Sequence, residues 1–308
     1  MIQRDLPIGP AWVRISAAVI RHLPVGRYRA MHMLPRPNSA FLMRMPDDVG
    51  GYPFRCDLRD IISREVCFTG TYEPQETTLV RSILRPGMTF VDVGANWGYF
   101  TLLAASLVGT TGRVLSLEPD PRLFSILQEN VGRSGLDHVT PLQLAAAHQA
   151  GILSLAGYCE ADGNFGVSRI ALTSDQSGTV FQVDADSLDH ILEQQGLLSV
   201  DLMKMDIEGA EVFATQGLEE SLARRTIKRL ILELHPIQIS QHGSSVSAVV
   251  ERLHAAGYKA WTIDHSPVAT REAAYNKEIK TSRLLRPLES VAQYDDWPHH
   301  LWVAPGIE

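Results

Sequence analysis

The chain has 308 residues, a net charge of −7 and 45% hydrophobic residues. This is enough for a globular protein with a sizeable core, and the acidic balance argues against a broad nucleic-acid-binding surface. Its three cysteines, Cys56, Cys67 and Cys159, are odd in number and form no C-x-x-C pair, so the sequence predicts neither a disulfide framework nor a zinc knuckle and favours a cytoplasmic location.

The first part of the chain, residues 1–70, carries several prolines and predicts an accessory cap in front of a main domain over residues 71–308. Two arginines and a histidine interrupt the apolar stretch 12–25, so it predicts neither a membrane span nor a signal peptide. Its spacing fits an amphipathic helix whose apolar face could pack on the core, form a homodimer contact or cover a partner, a substrate or a membrane surface. Beyond it we expect β-like pieces near 40–45 and 52–58, and no further helix in the cap.

From residue 73 the pattern alternates between helix and strand. A helix is predicted over 73–84, ending at the turn Arg85-Pro86-Gly87. The elements that follow are strands at 88–93, 113–118 and 139–144 and helices at 97–108 and 121–134. Because right-handed crossovers place helices on both faces of such a sheet, the alternation predicts a doubly wound, mostly parallel α/β fold.

The alternation lapses between residues 151 and 184. Apolar runs at 152–155 and 180–183 predict an inserted β-hairpin, and the polar loop 160–168 between them is a candidate lid. Afterwards we predict helices at 187–195, 209–224 and 245–256 and strands at 201–206, 228–234, 258–263 and 301–304, which brings the sheet to seven strands. Residues 265–296 are expected to form a loop over the sheet edge.

The run FVDVGANWGYF at residues 90–100 organises the rest of the chain. A strand, a glycine turn and a helix in this order are typical of a nucleotide-binding turn. We expect Gly94 and Gly98 to let the backbone pass close to a ligand, where a Cβ would collide, and the free N–H groups of the helix to face an anionic group. Glu118 ends the second strand, about 24 residues after Gly94, near the spacing at which a carboxylate binds a ribose diol.

The spacing Asp92-x-Gly94-x-Asn96-x-Gly98 separates two classes of ribose ligand. Dinucleotide sites use G-x-G-x-x-G, whose middle glycine admits a pyrophosphate, but Asn96 occupies the slot that such turns leave small. Asp92 would repel phosphate, whereas it can accept hydrogen bonds from the ammonium group of S-adenosylmethionine. The turn therefore favours S-adenosylmethionine as cofactor, and a nicotinamide-dependent oxidoreductase is the weaker alternative.

At these residues the sequence resembles the FkbM-type S-adenosylmethionine-dependent methyltransferases. The resemblance covers roughly residues 70–304, and the runs that begin at Phe90 and Lys204 are specific when taken together. The runs that carry it are TYEP at 71–74, FVDVGANWGYFT at 90–101, LEPD at 117–120, KMDIEGAE at 204–211 and LELHP at 232–236. It implies a Rossmann-like methyltransferase fold and transfer of a methyl group to a hydroxyl of a small molecule or glycan, such as a natural product, a sugar or a lipid-linked sugar.

We expect the cofactor to lie at the carboxyl ends of the first strands. Tyr99 could reach the methionine carboxylate, and Ala147 could line the adenine edge, where His148 replaces the polar acidic residue that the family leads us to expect. The predicted cofactor-binding residues are Asp92, Gly94, Ala95, Asn96, Gly98, Tyr99, Glu118, Pro119, Ala147 and Asp206.

Transfer to an aliphatic hydroxyl requires a base or a metal ion. His235 titrates near neutrality and is the predicted general base, with Asp206 and Glu208 as catalytic carboxylates; capping of the next helix is the alternative role for these two acids. A divalent ion such as Mg²⁺, held by Asp206, Glu208 and one group of the fifth strand, is a less favoured mechanism, and no independent metal-ligand cluster is predicted. A non-catalytic cofactor-binding protein is the remaining alternative, and no nucleic acid is expected as partner.

Overall fold

The computed structural model describes residues 6–157, 168–171, 179–276, 278–288 and 299–307. Its strands are β1 Ala40–Arg44, β2 Pro53–Asp57, β3 Thr89–Val93, β4 Arg113–Leu117, β5 Val139–Leu142, β6 Ala145–Ala147, β7 Gly151–Ala156, β8 Arg169–Ile170, β9 Val180–Ser187, β10 Leu202–Met205, β11 Arg229–Glu233, β12 Lys259–Ile263, β13 Leu285–Pro287 and β14 His299–Val303. Its α-helices are α1 Ala11–Arg21, α2 Arg27–His32, α3 Ile61–Phe68, α4 Pro74–Ile83, α5 Tyr99–Val108, α6 Pro121–Ser134, α7 Leu188–Gln194, α8 Glu211–Gln216, α9 Glu219–Ala223, α10 Pro236–Gln241, α11 Val246–Ala255 and α12 Pro267–Tyr275.

The main sheet has eight strands in the order β13-β12-β14-β11-β10-β3-β4-β5. Neighbours from β11 to β5 pair in parallel, whereas β14 runs antiparallel to both β11 and β12 and β13 runs antiparallel to β12. The predicted mostly parallel α/β sheet is therefore confirmed, with β13 as an edge strand beyond the predicted seven.

Successive residues of the central strands belong to different apolar clusters, one on each face of the sheet. Phe90 packs in a cluster with Leu102 of α5 and Leu127 of α6, and Val91 packs in a cluster with Ile191 of α7. Side chains alternate between the faces of a strand, so a sheet that is buried on both sides needs helices on both. The double winding is confirmed in this way.

The predicted hairpin at residues 151–184 is present as the antiparallel pair β7 and β9, with Gly151 opposite Ala185 and Ala156 opposite Val180. It belongs to a second sheet of four strands in the order β6-β9-β7-β8. Since β6 joins this sheet, the strand predicted at 139–144 ends at Leu142 in the main sheet. Most of the predicted lid loop lies outside the described residues.

The cap region contains more helix than the sequence indicated. Besides the antiparallel pair β1 and β2, it has α2 and α3, so the expectation of no further helix was wrong. Asp60 caps α3 by accepting a hydrogen bond from the Ser63 N–H at 2.8 Å. Val13 of α1 and Phe41 of β1 pack in the same cluster as Phe90. The division at residue 70 stays a prediction.

Two further expectations in the C-terminal half were wrong. Residues 265–296 were expected to form a loop, yet they contain α12, a short 3₁₀ turn and β13. The helix predicted over 209–224 is broken into α8 and α9 at Gly217, where a Cβ would collide with the backbone carbonyl of Ala147. Among the described residues no helix is long and apolar enough to cross a membrane.

Candidate active site

A cavity lies at the carboxyl ends of β3, β4 and β10, where an open parallel sheet places its ligand sites. Most of the predicted site residues line it: Asp92, Gly94, Ala95, Asn96, Tyr99, Glu118, Pro119, Asp206 and Glu208. Gly98, Ala147 and His235 are not part of this lining among the described residues. The cavity also includes Ala145 and Ala146 of β6, Ser168 at the end of the predicted lid, and Arg169 after it.

Gly94 and Gly98 shape the turn through contacts with the protein itself. Both have positive φ values, 85° and 87°. A Cβ on Gly94 would overlap the backbone carbonyl of Asp206, and one on Gly98 would lie 2.6 Å from the Leu127 Cδ1 atom. The glycines thus allow β3 to approach the end of β10 and α5 to approach α6, which is a different reason from the ligand approach that the sequence suggested.

Asp92 is buried at the end of β3 and forms its hydrogen bond inside the protein. Its Oδ2 accepts a hydrogen bond from the Thr101 hydroxyl at 2.7 Å, and that hydroxyl lies 2.8 Å from the Ser116 hydroxyl. Burial raises the pKa of Asp92 to about 6, although Lys204 and Thr101 act in the opposite direction. The side chain therefore places a desolvated carboxyl group at the cavity wall.

Glu118 is only 4% exposed and holds the glycine turn in place. Its Oε2 accepts a hydrogen bond from the Asn96 N–H at 2.8 Å, and its Oε1 accepts one from the Asp120 N–H at 2.9 Å. Burial raises the pKa of Glu118 to about 8 in spite of these two bonds. A ligand that donates hydroxyl hydrogens would favour the ionised form of this group.

For two other predicted cofactor-binding residues, Tyr99 and Ala147, the structure shows contacts within the protein. The Tyr99 ring lines the cavity, but its hydroxyl lies 3.1 Å from the Thr77 hydroxyl, and burial raises its pKa to about 12. Ala147 packs in a small apolar cluster with Leu155 and Val183 of the second sheet. For both residues, contact with a cofactor stays a prediction.

A buried lysine lies beside the predicted catalytic aspartate. Lys204 of β10 lines the cavity, and its Nζ is 3.2 Å from the Asp206 Oδ2 and 3.4 Å from the Glu73 Oε2. The same Nζ lies 4.7 Å from the centre of the Phe100 ring. Burial alone would raise the pKa of Asp206, but the charges of Lys204 and His235 outweigh it and lower that pKa. Asp206 is therefore held as a carboxylate.

His235 lies next to the cavity among four carboxyl groups. Its Nδ1 is 2.7 Å from the Glu211 Oε1, and its Nε2 is 3.5 Å from Glu208, 3.7 Å from Glu233 and 3.9 Å from Asp206. Burial alone would lower the pKa of His235, but the bond to Glu211 and the surrounding charges raise it to about 10. The imidazole is therefore mainly protonated at neutral pH, which the sequence did not indicate. We call the following group of side chains the acceptor rim: Glu73, Lys204, Asp206, Glu208, Glu211, Glu233 and His235.

Backbone strain concentrates at the same place. Among the described residues, four that are not glycine have positive φ values, and three of them belong to the cavity or the acceptor rim: Glu73 at 42°, Asn96 at 53° and Glu208 at 51°. Such conformations cost on the order of 1–3 kcal/mol each and cluster at functional sites. The backbone strain does not depend on the charges of the side chains. It is therefore a second, independent indication that this edge of the sheet is a functional site.

Sequence reasoning assigned no role to Lys204, Glu73 or Glu76, although all three fall in or beside the motifs quoted above. A lysine inside the buried strand β10, between Met203 and Met205, was the available signal, because a buried ammonium group needs an anionic partner. Its partner Glu73 is 131 positions away in the chain and could not be identified from spacing.

Comparison with known proteins gives a family match. The model described as the methyltransferase FkbM domain matches residues 92–260, from the glycine turn to β12. The match includes Glu118, Asp206 and His235 and excludes the cap region and the end of the chain.

Three curated relatives are also similar. AMB antimetabolite synthetase AmbE of Pseudomonas aeruginosa is 25% identical over 70% of this chain and 11% of the relative. Methyltransferase sdnD of Sordaria araneosa is 29% identical over 42% of this chain and 60% of the relative. The 31-O-demethyl-FK506 methyltransferase FkbM of Streptomyces tacrolimicus is 24% identical over 57% of this chain and 74% of the relative. The matched part thus spans about a tenth of the first relative and three fifths of the second.

Proposed function

The chain belongs to the FkbM methyltransferase family, and from this premise we propose that it is an S-adenosylmethionine-dependent O-methyltransferase acting on a hydroxyl of a small molecule or glycan. The observation that carries the proposal is one cavity that joins the glycine turn and Glu118 to Asp206 and Glu208. A methyl donor and an acceptor must meet in a single pocket, so this continuity is what the reaction requires.

The residues present fit S-adenosylmethionine by their chemistry. Asp92, Glu118, Asp206 and Glu208 give the cavity four acidic groups, and burial raises the pKa of Asp92 and Glu118. A ligand with hydroxyl and ammonium donors relieves that desolvation, whereas a pyrophosphate would add negative charge beside it. Glu118 would hold the ribose hydroxyls, and Asp92 and the 94–98 turn would hold the amino-acid end.

When bound, S-adenosylmethionine supplies a methyl group on a positively charged sulfur. The protein contributes binding and proton transfer on the acceptor side. Asp206 and Glu208 line the cavity and would hold the acceptor hydroxyl. His235 Nε2 would accept its proton, while Glu211 holds the Nδ1 side at 2.7 Å and fixes the orientation of the ring.

The raised pKa of His235 gives this mechanism a pH signature. With a pKa of about 10, only about one molecule in 10³ carries the neutral imidazole at pH 7. We therefore expect kcat/KM for the acceptor, which reports the pKa values of the free enzyme, to rise about tenfold per pH unit until the pH approaches 10.

A second mechanism within the same function is favoured by one specific observation. Donor atoms of Asp206, Glu233 and His235 all lie within 4.8 Å of one another, whereas the predicted ligand Glu208 does not belong to this group of the described residues. A Mg²⁺ ion at this place would neutralise the carboxylates, displace the proton of His235 and lower the pKa of the acceptor hydroxyl. In that case chelation with EDTA abolishes turnover, added Mg²⁺ restores it, and the tenfold rise per pH unit disappears. With base catalysis alone, EDTA leaves turnover unchanged.

Calorimetry with S-adenosylhomocysteine tests the cofactor assignment. Wild type should bind it, and Glu118→Gln should weaken binding by at least about tenfold, because the loss of one charge-assisted hydrogen bond is worth about 1.5–3 kcal/mol. The control Glu129→Gln removes another buried carboxylate, paired with Arg55 and Arg133 outside the cavity, and should leave binding unchanged. Absence of binding by folded wild-type protein would refute the cofactor.

The acceptor class is tested with methyl-labelled S-adenosylmethionine and extracts of metabolites, glycans and nucleic acids. Label in a base-stable ether of the metabolite or glycan fraction supports transfer to oxygen. Label confined to nucleic acid, to nitrogen or to carbon would contradict the proposed acceptor while leaving methyl transfer intact.

A further inference from the structure

Outside the cavity, two histidines converge on one buried carboxylate from separate parts of the chain. Glu76 lies in α4, His265 follows β12, and His299 begins β14. The Glu76 Oε1 is 2.7 Å from the His265 Nε2 and 3.2 Å from the His299 Nδ1. These three donor atoms lie within 4.8 Å of one another. Two imidazole nitrogens and one carboxylate oxygen are therefore close enough together to contact the same ligand.

From this geometry we infer that Glu76, His265 and His299 form a binding site for a divalent first-row transition-metal ion such as Zn²⁺. Two imidazole nitrogens and one carboxylate oxygen are a donor set that zinc accepts, with a fourth position left for water. Donor atoms about 2.0–2.1 Å from a tetrahedral zinc ion are roughly 3.3 Å from one another. The separation of 3.2 Å already meets this geometry, and the one of 2.7 Å requires a small opening.

The carboxylate itself points to a missing partner. Glu76 is 1% exposed, and its second oxygen, Oε2, has no hydrogen-bond partner among the described residues. A buried carboxylate oxygen without a donor is costly, because this oxygen has lost its water and, unlike Oε1, has no hydrogen-bond donor in its place. A bound cation would compensate the charge on both oxygens of this group.

The surroundings are those of a constructed site. The opposite nitrogen of His299, Nε2, lies 3.6 Å from the Glu233 Oε1, so a carboxylate stands on the side where metal-bound histidines commonly have one as a partner. The imidazole rings of His265 and His299 stack with their centres 3.8 Å apart and an angle of 19° between their planes, so the rings would have to turn for both nitrogens to face one ion. Next to Glu76, the Gln75 side-chain amide donates to the Asp264 carbonyl at 3.2 Å and to the Thr270 hydroxyl at 2.8 Å, so α4 and the start of α12 are already held together.

A metal ion here would fasten α4, the end of β12 and the start of β14 beside the acceptor rim. The connection to that rim runs through Glu233, which lies between His299 Nε2 at 3.6 Å and His235 Nε2 at 3.7 Å. The ion would therefore hold Glu233 in position without taking part in methyl transfer. This role differs from the Mg²⁺ mechanism, whose ligands would be Asp206, Glu233 and His235.

Metal binding by the full chain tests the inference. The protein is stripped with EDTA, dialysed and titrated with Zn²⁺ in a calorimeter, with Co²⁺ absorption as a second measurement. We expect one Zn²⁺ per chain with micromolar or tighter affinity, and a loss of at least about 100-fold in His265→Ala, since a three-ligand site loses a direct ligand.

Two controls locate the ion. His190→Ala removes an exposed histidine that pairs with the Asp186 carboxylate at 2.6 Å and should leave Zn²⁺ affinity unchanged. His235→Ala removes the rim histidine and should also leave it unchanged. Loss of binding in His235→Ala with retention in His265→Ala would overturn the proposal by placing the ion at the rim. No binding by wild type, with circular dichroism showing a folded chain, would overturn it as well.

Discussion

The two halves of the candidate site, the cofactor side and the acceptor rim, are stabilised in different ways. On the cofactor side, the carboxyl groups of Asp92 and Glu118 accept hydrogen bonds from the Thr101 hydroxyl and from backbone N–H groups, and all of these partners lie within the one segment 92–120. On the rim, Glu73 and Glu211 are paired with Lys204 and His235 through side-chain charges from different strands and helices. The position of the cofactor-side carboxyl groups therefore depends on the local conformation of the backbone. The position of the rim side chains depends on the assembly of the whole sheet.

This difference separates the expected effects of substitutions. Substitutions in the glycine turn should distort the backbone conformation. They should therefore weaken cofactor binding and lower the free energy of unfolding at the same time. Changes to rim side chains should alter charge balance and proton transfer while leaving the turn intact. The following substitutions test this division.

The largest effect is expected from Gly94→Ala. Its positive φ already disfavours any side chain, and the new Cβ would overlap the Asp206 backbone, which cannot move without displacing β10. We expect a loss of more than about 4 kcal/mol in the free energy of unfolding, measured with urea. The matched control Gly135→Ala, also at positive φ but with open space around the added Cβ, should lose only about 1–2 kcal/mol. Equal losses would show that the turn is not constrained by β10.

The next effect tests the charge pairing of the rim. Lys204→Met leaves Glu73 and Asp206 buried without their cation, which should lower the free energy of unfolding by about 3–5 kcal/mol. Without the lysine, the pKa values of these carboxyls rise in the folded state, so the loss should grow as the pH rises from 5 to 8. Lys228→Met breaks a more exposed pair with Asp201 and should lose less than about 1 kcal/mol. A loss that is independent of pH would contradict the pairing.

A third effect separates turnover from cofactor binding. His235→Ala should lower kcat about 10²–10⁴-fold, as expected for loss of an acid–base group, while the Kd for S-adenosylhomocysteine changes less than about threefold. His242→Ala is the control, since His235 and His242 flank the two ends of α10. Retention of full turnover by His235→Ala on the true acceptor would exclude this histidine as the base. Such a result would not affect the assignment of the cofactor-binding residues.

The same division explains what could be predicted from sequence. Local spacing and hydrophobic period predict the sheet after residue 88. They also predict the turn at Asp92 and Gly94 and the role of Glu118, and the structure brings these residues to one cavity. The pairing of Lys204 with Glu73 and the protonated state of His235 depend on groups from distant segments, which spacing does not reveal. Helix α3 had a usable local signal in its Asp60 cap, whereas the break at Gly217 arises from packing on β6 and had none.

The smallest effect we predict is a pH dependence of cofactor-side binding. The pKa of Glu118 is raised to about 8 by burial, and ribose hydroxyls bind its ionised form. Affinity for S-adenosylhomocysteine should therefore weaken as the pH falls below about 8, by at most about tenfold per unit, and should level off above it. Asp92, with a pKa of about 6, adds to the slope only at lower pH.

Calorimetry between pH 6.5 and 8.5 measures this slope. Glu118→Gln should flatten it, because the amide does not titrate. Glu233 also has a pKa raised by burial to about 8, yet it lies on the rim, so Glu233→Gln should keep the slope. If Glu233→Gln flattened the slope and Glu118→Gln did not, the binding of the cofactor would depend on rim charge, and the separation of the two halves would be wrong.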